Sequence, residues 1–538
     1  MSLKNYKTGL KKTSVNYTPL SPVSFLERTA NIFPNYTSII SEKKKFTWRQ
    51  TFERCNAFAN SLKKIGIKTG DTISIISPNT YAMYEAHFSV PMIGAVLNTI
   101  NIRLDPRTIN YILKHSNSKL VLVDTEFFSL FKSSLKYGGI KLKTIIINDD
   151  KRFSKNLKLG LDYESLLKKT KIKKDIIKIP DEWFPISLCY TSGTTGKPKG
   201  VVTHHRGAYL NSIFNQMVWN MKKNPVYLWT LPMFHCNGWC FPWTIAAVAG
   251  VNICIRKINS KEIFKLIKKH KVSNLCGTTI IIKMLIEQKT KLKKKVSFMT
   301  GAAPPPPSVL AQIEKQGFEI THTYGLTEVY GPAVVCEFQN DWKKLKPNLI
   351  AKNKSKQGVK YPGLSNLKVI GLKNNKYVKT NEKELGEVCM KGNTVMMGYY
   401  KDEASTKKTF NKGWFRTGDL AVVDKNGYIQ IKDRSKDIII SGGENISSIE
   451  IENVLNKHKD IVDAAVVSKS DKKWGEVPCA FITLRKNSKL NDHQIIEFCR
   501  KYIAKFKIPK KFIFGKIAKT STGKTKKFLL RKLANQFN

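Results

Sequence analysis

The chain has 538 residues, 41% of them hydrophobic, enough for several domains or subdomains around a large core. Its formal charge of +53 raises nucleic-acid or anionic-membrane binding, yet the lysines are spread over the whole length beside abundant Ile and Asn, with no zinc-finger, basic-zipper or RNP-like pattern. The charge therefore reads as compositional, with runs such as 291–295 as solvated helix faces, and its expected use is modest steering of anionic ligands, which salt weakens.

Residues 1–20 are polar and lysine-rich, without the layout of a secretory leader. Residues 47–66 carry apolar positions at helical spacing (Phe52, Ala57, Phe58, Leu62, Ile65), and 71–77 alternate as in a strand. A helix over 81–94 and a strand over 119–124 follow. Strands alternating with helices predict a parallel, doubly wound sheet. A second such series runs from Val226 to Thr300: a strand at 227–232, a helix around Gly238, strands at 251–255 and 273–278, helices around 263–270 and after 278, then a strand at 296–301. The most apolar run, 238–255, approaches a membrane span in length, but Pro242, Gly250 and Asn252 interrupt it, so a buried helix and strand are expected instead. Residues 340–360 read as polar loop. From Leu385 short strands with Gly turns predict a smaller β-rich subdomain. A boundary falls at 433–437, and beyond it helices at 448–458 and 492–506 with strands at 463–468 and 479–484 predict an α+β lid. The ten cysteines lack zinc spacing and are expected to be reduced and mostly buried, and a cytoplasmic protein is expected. The C-terminal residues 534–538 carry no retrieval or prenylation signal.

The most informative stretch is YTSGTTGKPKGV, residues 190–201. Thr191, Ser192, Thr194 and Thr195 supply hydroxyls, Gly193 and Gly196 let the backbone approach a ligand, and Lys197 and Lys199 supply charge. A Walker A loop is excluded, because Thr191 stands five before Gly196 and Pro198 follows Lys197. A flexible linker is the bland alternative. Two lysines in step with paired glycines, directly behind an apolar strand, favour a polyphosphate cradle. Further patterns follow: PMFHCNGW at 232–239, GAAP at 301–304, TYGLTE at 323–328, GWFRTGD at 413–419, DRSKDIIISGGE at 433–444 and KTSTGK at 519–524. Each is weak alone. His235 and Trp239 suit a pocket wall, although a core aromatic cluster is nearly as good a reading. Asp419 could accept from both hydroxyls of a ribose.

In this order the blocks resemble the acyl-adenylate-forming superfamily: acyl-CoA synthetases, luciferases and peptide-synthetase adenylation domains. The resemblance spans about Val23 to Lys532. It implies an α/β fold with a large N-terminal portion (1–433) of two doubly wound α/β subdomains plus a distorted β-barrel, and a small mobile α+β C-terminal domain (434–538). The PMFHCNGWCFPW and GAAPPPP blocks look like short- and medium-chain acyl-CoA synthetases, in a branch with plant acyl-activating enzymes and bacterial ligases for acids such as methylmercaptopropionate. The implied reaction joins a carboxylic acid to CoA through acyl-AMP, releasing AMP and pyrophosphate, with ATP, Mg²⁺ and CoA required. Loading a separate carrier protein is the alternative. A silent binding protein with this fold is disfavoured by intact Lys524, Glu328 and Asp419.

The resemblance implies roles residue by residue. Thr191–Lys199 grips the β- and γ-phosphates, Thr327 contacts the α-phosphate, and Glu328 holds Mg²⁺. Tyr324 stacks on adenine beside Gly301, Ala302 and Ala303, with Thr323 in the same block. Asp419 and Arg434 bind the ribose. Lys524 bridges α-phosphate and carboxylate as the main catalytic group of the first half-reaction. Lys436 is the hinge, about which Gly442, Gly443 and Glu444 swing toward the thioester site. His235 gates the pantetheine tunnel, and Trp239 with Gly301 shapes the acyl pocket. One departure stands out: Ala518 and Thr525 replace the proline and isoleucine that usually flank the lysine loop. The oligomeric state stays open, dimers being common in the family.

Overall fold

The structure, a computed structural model, describes residues 9–150, 152–153, 160–170, 179–191, 198–301, 305–372, 375–442, 444–519 and 525–536. Four sheets organise them.

The first sheet has eight strands in the order Gly398–Tyr399, Lys199–His204, Pro185–Thr191, Val96–Thr99, Thr72–Ile76, Ser118–Asp124, Lys143–Ile147, Leu161–Asp162. It is parallel from Pro185–Thr191 onward and antiparallel at the other edge. Helix Trp48–Lys64 starts where expected, closed by a capping box between Thr47 and Gln50. The strand read at 71–77 is Thr72–Ile76, but both its faces are buried. The alternation reflects a polar ladder rather than a wet face: Ser74 and Ser118 hydroxyls lie 2.6 Å apart, and Asn98 donates to Ser74 at 2.8 Å. Buried hydroxyls persist in a core when they satisfy one another. All twelve residues of helix Tyr81–Met92 are buried.

The second sheet has nine strands, from Val359–Lys360 through Gly331–Val335, Phe318–Leu326, Val296–Gly301, Asn274–Thr278, Val226–Trp229, Val251–Cys254 and Thr37–Ser41 to Lys44–Thr47. Its middle is parallel and its edges antiparallel. Buried Arg256, just past Val251–Cys254, reaches the first sheet's Asp124 (2.5 and 3.1 Å), and also meets Glu126 and Asp149. One cation thus fastens the two sheets together.

The third sheet is antiparallel and built from Leu364–Gly371, Gly386–Gly392, Trp414–Val423, Phe410–Asn411 and Ile429–Arg434. The fourth combines Ile439–Ser441, Glu444–Ile446, Ile461–Asp471, Gly475–Leu484 and Lys511–Phe514 over its own core, which includes Ile446, Ile451, Val466, Ile482 and Ile495.

Three expectations are corrected. Residues 340–360 hold a 3₁₀ turn (Asn340–Lys344) and a helix (Pro347–Lys354), anchored by Trp342 packing on Phe338 and Tyr428. The helix read at 492–506 stops at Arg500, and a 3₁₀ turn Lys505–Lys507 follows. Around Gly238 the chain first makes a left-handed turn and becomes helical only over Phe241–Ala247. All ten cysteines are free and buried, as expected. No helix among the described residues is long and apolar enough to cross a membrane.

Candidate active site

Several site residues lie at or just past the carboxyl ends of parallel strands, where open α/β sheets bind ligands: Thr191, Gly301 and the end of Phe318–Leu326. Thr191 pairs with Lys199 across an antiparallel hairpin, so the ends of the Ser/Thr/Gly block stand side by side. Ser192, Gly193, Thr194, Thr195, Gly196 and Lys197 themselves lie outside the described residues. Lys199 turns toward a neighbouring segment, donating to Ser405, lying 3.5 Å from Asp402 and standing over the Tyr399 ring. It anchors the base of the loop to the strand Gly398–Tyr399.

Tyr399 was not foreseen. Its hydroxyl donates to Glu328 Oε1 at 2.9 Å, and Glu328 O accepts from Met396 N at 2.7 Å. Burial, then the charge of Glu328, push the Tyr399 hydroxyl up, so it stays a donor. Glu328 keeps further acceptor positions, and an oxygen-rich carboxylate of this kind fits a hard cation. Thr327, beside it, has its hydroxyl 3.1 Å from Cys236 Sγ.

Asp419 and Arg434 are direct cross-strand partners, and their side chains pair at 3.1 Å. Asp419 holds the Arg434 guanidinium above its usual range. Tyr324, ninety-five residues earlier, donates its hydroxyl to Asp419 Oδ2 at 2.6 Å. Each carboxylate oxygen can accept about two hydrogen bonds. Tyr324 occupies one position on Oδ2 and the Arg434 guanidinium lies beside Oδ1 as an ion pair, which leaves at least one acceptor position on each oxygen among the described residues. Two adjacent free acceptors match a vicinal diol. The Tyr324 ring itself is buried. Thr323, next to it, donates to Thr300 O at 3.1 Å, and a Cβ on Gly301 would meet Trp239 Cη2 at 2.9 Å. Ala302 and Ala303 lie outside the described residues.

His235, Cys236 and Thr327 line one cleft with Thr99, Asn101 and Tyr190. Directly after His235, five consecutive residues have positive φ: Cys236 (43°), Asn237 (39°), Gly238 (58°), Trp239 (56°) and Cys240 (65°). One is glycine and one asparagine, and each of the other three, Cys236, Trp239 and Cys240, costs about 1–2 kcal/mol in this conformation. Such strain persists only where the surroundings over-determine it. The turn delivers the buried Trp239 indole to Gly301.

Lys436 follows the strand Ile429–Arg434. Partial burial first, and the Arg434 cation second, lower its ammonium to about 8, although its side chain still reaches solvent. Arg531, on the last helix Lys527–Ala534, donates to Lys436 O at 3.1 Å and Asp437 at 2.6 Å. Gly442 has φ 57°, and a Cβ there would meet the Trp474 ring at 2.8 Å. Glu444 is exposed, paired with Ser441, and Gly443 lies outside the described residues. Lys524 does too. The neck of its loop is closed by a bridge between Lys519 and Thr525 and a Lys526 N to Ala518 O bond at 2.9 Å. Ala518 and Thr525, the two departures, therefore sit in an ordered neck.

The AMP-binding enzyme family profile matches residues 26–400, and the AMP-binding enzyme C-terminal domain profile matches residues 450–524. This chain belongs to the AMP-binding enzyme family. As an AMP-binding enzyme it is 44% identical over 549 residues to the peroxisomal acetate/butyrate–CoA ligase of Arabidopsis thaliana, covering 98% of this chain and 96% of that protein. It is 44% identical over 549 residues to the acetate–CoA ligase of Humulus lupulus, covering 98% and 97%. Among solved structures, o-succinylbenzoate CoA synthetase from Bacillus subtilis, in complex with its acyl-adenylate intermediate, matches with a TM-score of 0.82 at 25% identity over 96% of this chain and 99% of that one. The expected family and fold class hold, and the expected enzyme class, an acid–thiol ligase, agrees with the names of these relatives.

Of the expected groups, this AMP-binding enzyme brings Tyr324, Asp419 and Arg434 into direct contact, and Trp239 against Gly301. Tyr399 and Arg531 escaped the sequence reading because their partners are 71 and 94 residues away.

Proposed function

We propose that this enzyme converts a short-chain carboxylic acid, ATP and CoA into acyl-CoA, AMP and pyrophosphate in two half-reactions. In the first, a carboxylate oxygen attacks the α-phosphorus and the bond to pyrophosphate breaks. In the second, the CoA thiolate attacks the acyl carbonyl and AMP leaves. Both steps build negative charge on phosphate or carbonyl oxygens, so fixed donors and cations carry the catalysis. The observation that carries this reading is Asp419, buried and braced by Tyr324 and Arg434, with an acceptor on each oxygen left open among the described residues for the ribose hydroxyls.

The remaining roles follow. Thr191 through Lys199 hold the β- and γ-phosphates, Lys199 as the anchored end of that loop. Thr327 meets the α-phosphate. Glu328, steadied by Tyr399, would hold Mg²⁺, which supplies neutralisation of phosphate charge when bound. Lys524 stabilises the adenylation transition state from the C-terminal domain, whose boundary we place at 433–434. Lys436 is the pivot about which Gly442 to Glu444 replace Lys524 at the site. His235 gates the thiol's approach. Trp239 against Gly301 closes the acyl pocket, which supports acids of the size of acetate and butyrate, after which the two plant relatives are named.

Pyrophosphate release and thioester formation are to be followed with acetate, propionate, butyrate, hexanoate, benzoate and methylmercaptopropionate, with and without CoA. Acids up to butyrate should turn over, with hexanoate at least tenfold poorer. Acyl-AMP accumulation without thioester from free CoA would favour loading of a carrier protein instead. Cytoplasmic location and homodimer assembly belong to the same proposal; cell fractionation, set against the peroxisomal location of the Arabidopsis relative, and light scattering test them.

A further inference from the structure

The left-handed turn 236–240 is held from one side by a single helix face. Helix His205–Val218 begins directly after the hairpin strand Lys199–His204 and presents Asn211, Ser212 and Asn215 one turn apart. Asn215 Nδ2 donates to Trp239 O at 2.8 Å, and Ser212 Oγ, whose proton goes to Ala208 O at 2.6 Å, lies 3.4 Å from Cys240 O. Asn211 Nδ2 donates to Tyr330 O at 3.0 Å and lies 3.7 Å from Cys240 Sγ. From the other side Cys189 Sγ donates to Asn237 Oδ1. The turn has no slack: a Cβ on Gly331 would meet Trp239 Cα at 3.1 Å, and one on Gly301 would meet the far edge of the indole at 2.9 Å.

Each of the three buried amides uses only one of its two polar atoms. Asn211 Oδ1, Asn215 Oδ1 and Asn237 Nδ2 find no partner among the described residues. A half-satisfied buried network is a poor stabiliser, and leucine would fill a similar volume without an orphaned atom. What they do supply is direction: Asn215 fixes the Trp239 carbonyl of a turn that local conformational preference disfavours, Asn211 holds the Cys240 thiol and Tyr330 O, and the Asn237 side chain is tied to Cys189.

We propose that Asn215, with Asn211 and Ser212 on the same helix face, is a positioning residue that sets the acyl-length limit by holding the left-handed turn, and with it the Trp239 indole, against Gly301. The proposal rests on the reading of Trp239 as the wall of the acyl pocket. Without the Asn215 donor the Trp239 carbonyl is left unpaired and the turn is free to relax. The indole then withdraws from Gly301 and a longer acid enters.

The test measures kcat/KM for acetate and hexanoate in the full chain carrying Asn215→Leu, Asn215→Ala or Trp239→Gly, with thermal melts to verify folding. In both Asn215 variants the hexanoate-to-acetate ratio should rise at least tenfold, chiefly through a lower KM for hexanoate, while KM for ATP stays within twofold of wild type. A merely structural role would scale both acids alike. A ratio within twofold of wild type in folded Asn215 variants, with Trp239→Gly raising it, overturns the positioning role and leaves the pocket reading intact. An unchanged ratio in Trp239→Gly removes the wall itself and overturns both. Should the Asn215 variants not fold, Asn215→Ser, which keeps a polar group on the helix but is too short to reach Trp239 O, is read in the same way: a rise beyond twofold supports the proposal, and a ratio within twofold overturns it.

Discussion

Replacing Asp419 by asparagine keeps the shape of the side chain and removes one acceptor. The geometry says which one. Arg434 Nε can only donate, so the amide oxygen must take the Oδ1 place at 3.1 Å from it. The amide nitrogen then takes the Oδ2 place, where the Tyr324 hydroxyl, now 2.6 Å away as a donor, can rotate to accept. The ribose hydroxyl that used Oδ2 loses a bond to a charged acceptor, worth about 1.5–3 kcal/mol. That corresponds to an AMP dissociation constant raised about 10- to 150-fold. Calorimetry with AMP, 2′-deoxy-AMP and 3′-deoxy-AMP separates this from a general loss of structure. In the wild type each deoxy nucleotide should bind more weakly. In Asp419→Asn the penalty for one of the two deletions should shrink below about threefold, because its partner is already gone. AMP binding within threefold of wild type, or deoxy penalties that persist unchanged at both positions, would refute the assignment of this carboxylate to the ribose.

Lys524→Ala should abolish acyl-AMP formation while sparing thioester formation from supplied acyl-AMP; equal loss of both halves sinks the division of labour. Burial pushes His322, whose Nδ1 lies 2.8 Å from Lys356 O, down from 6.5 to about 4. Between those values the unfolded chain binds a proton that the folded one refuses, so this stability is complete above pH 6.5 and lost as pH falls toward 4, by about 2 kcal/mol at pH 5. His322→Gln should flatten the fall in melting temperature between pH 7 and 5, and an unaltered slope counts against this account. Arg256→Met leaves Asp124 and Asp149 buried without their cation and should cost about 3–5 kcal/mol in denaturant unfolding. A loss under about 1 kcal/mol would mean that the sheets are fastened by other means.

The parallel strands were legible because buried runs such as 120–123, Leu-Val-Leu-Val, are continuous and apolar. The proposed ribose anchor was legible in part: Asp419 and Arg434 could be named from their blocks, but not the contact of the Tyr324 hydroxyl, which reaches Asp419 only through the packing of two different sheets. The turn at 236–240 was illegible for a local reason. Four of its five residues carry a Cβ, so preference argues for ordinary helix, and the Asn211–Asn215 face that reverses this lies on another element. The helix Pro347–Lys354 was hidden by its lysines, which made a segment anchored by Trp342 look like loop.

Arg434 and Lys436 are two residues apart, so the ribose contact lies within about 7 Å of chain from the proposed pivot. Points near an axle travel little however far the rim turns. Gly442, six residues beyond Lys436, sits on a lever arm of up to about 20 Å. A large swing can therefore exchange one wall of the site for another while the nucleoside end of the intermediate stays gripped. In the proposed cycle the adenylate then need not be released and recaptured between its making and its use, because Arg434 stays beside the ribose throughout.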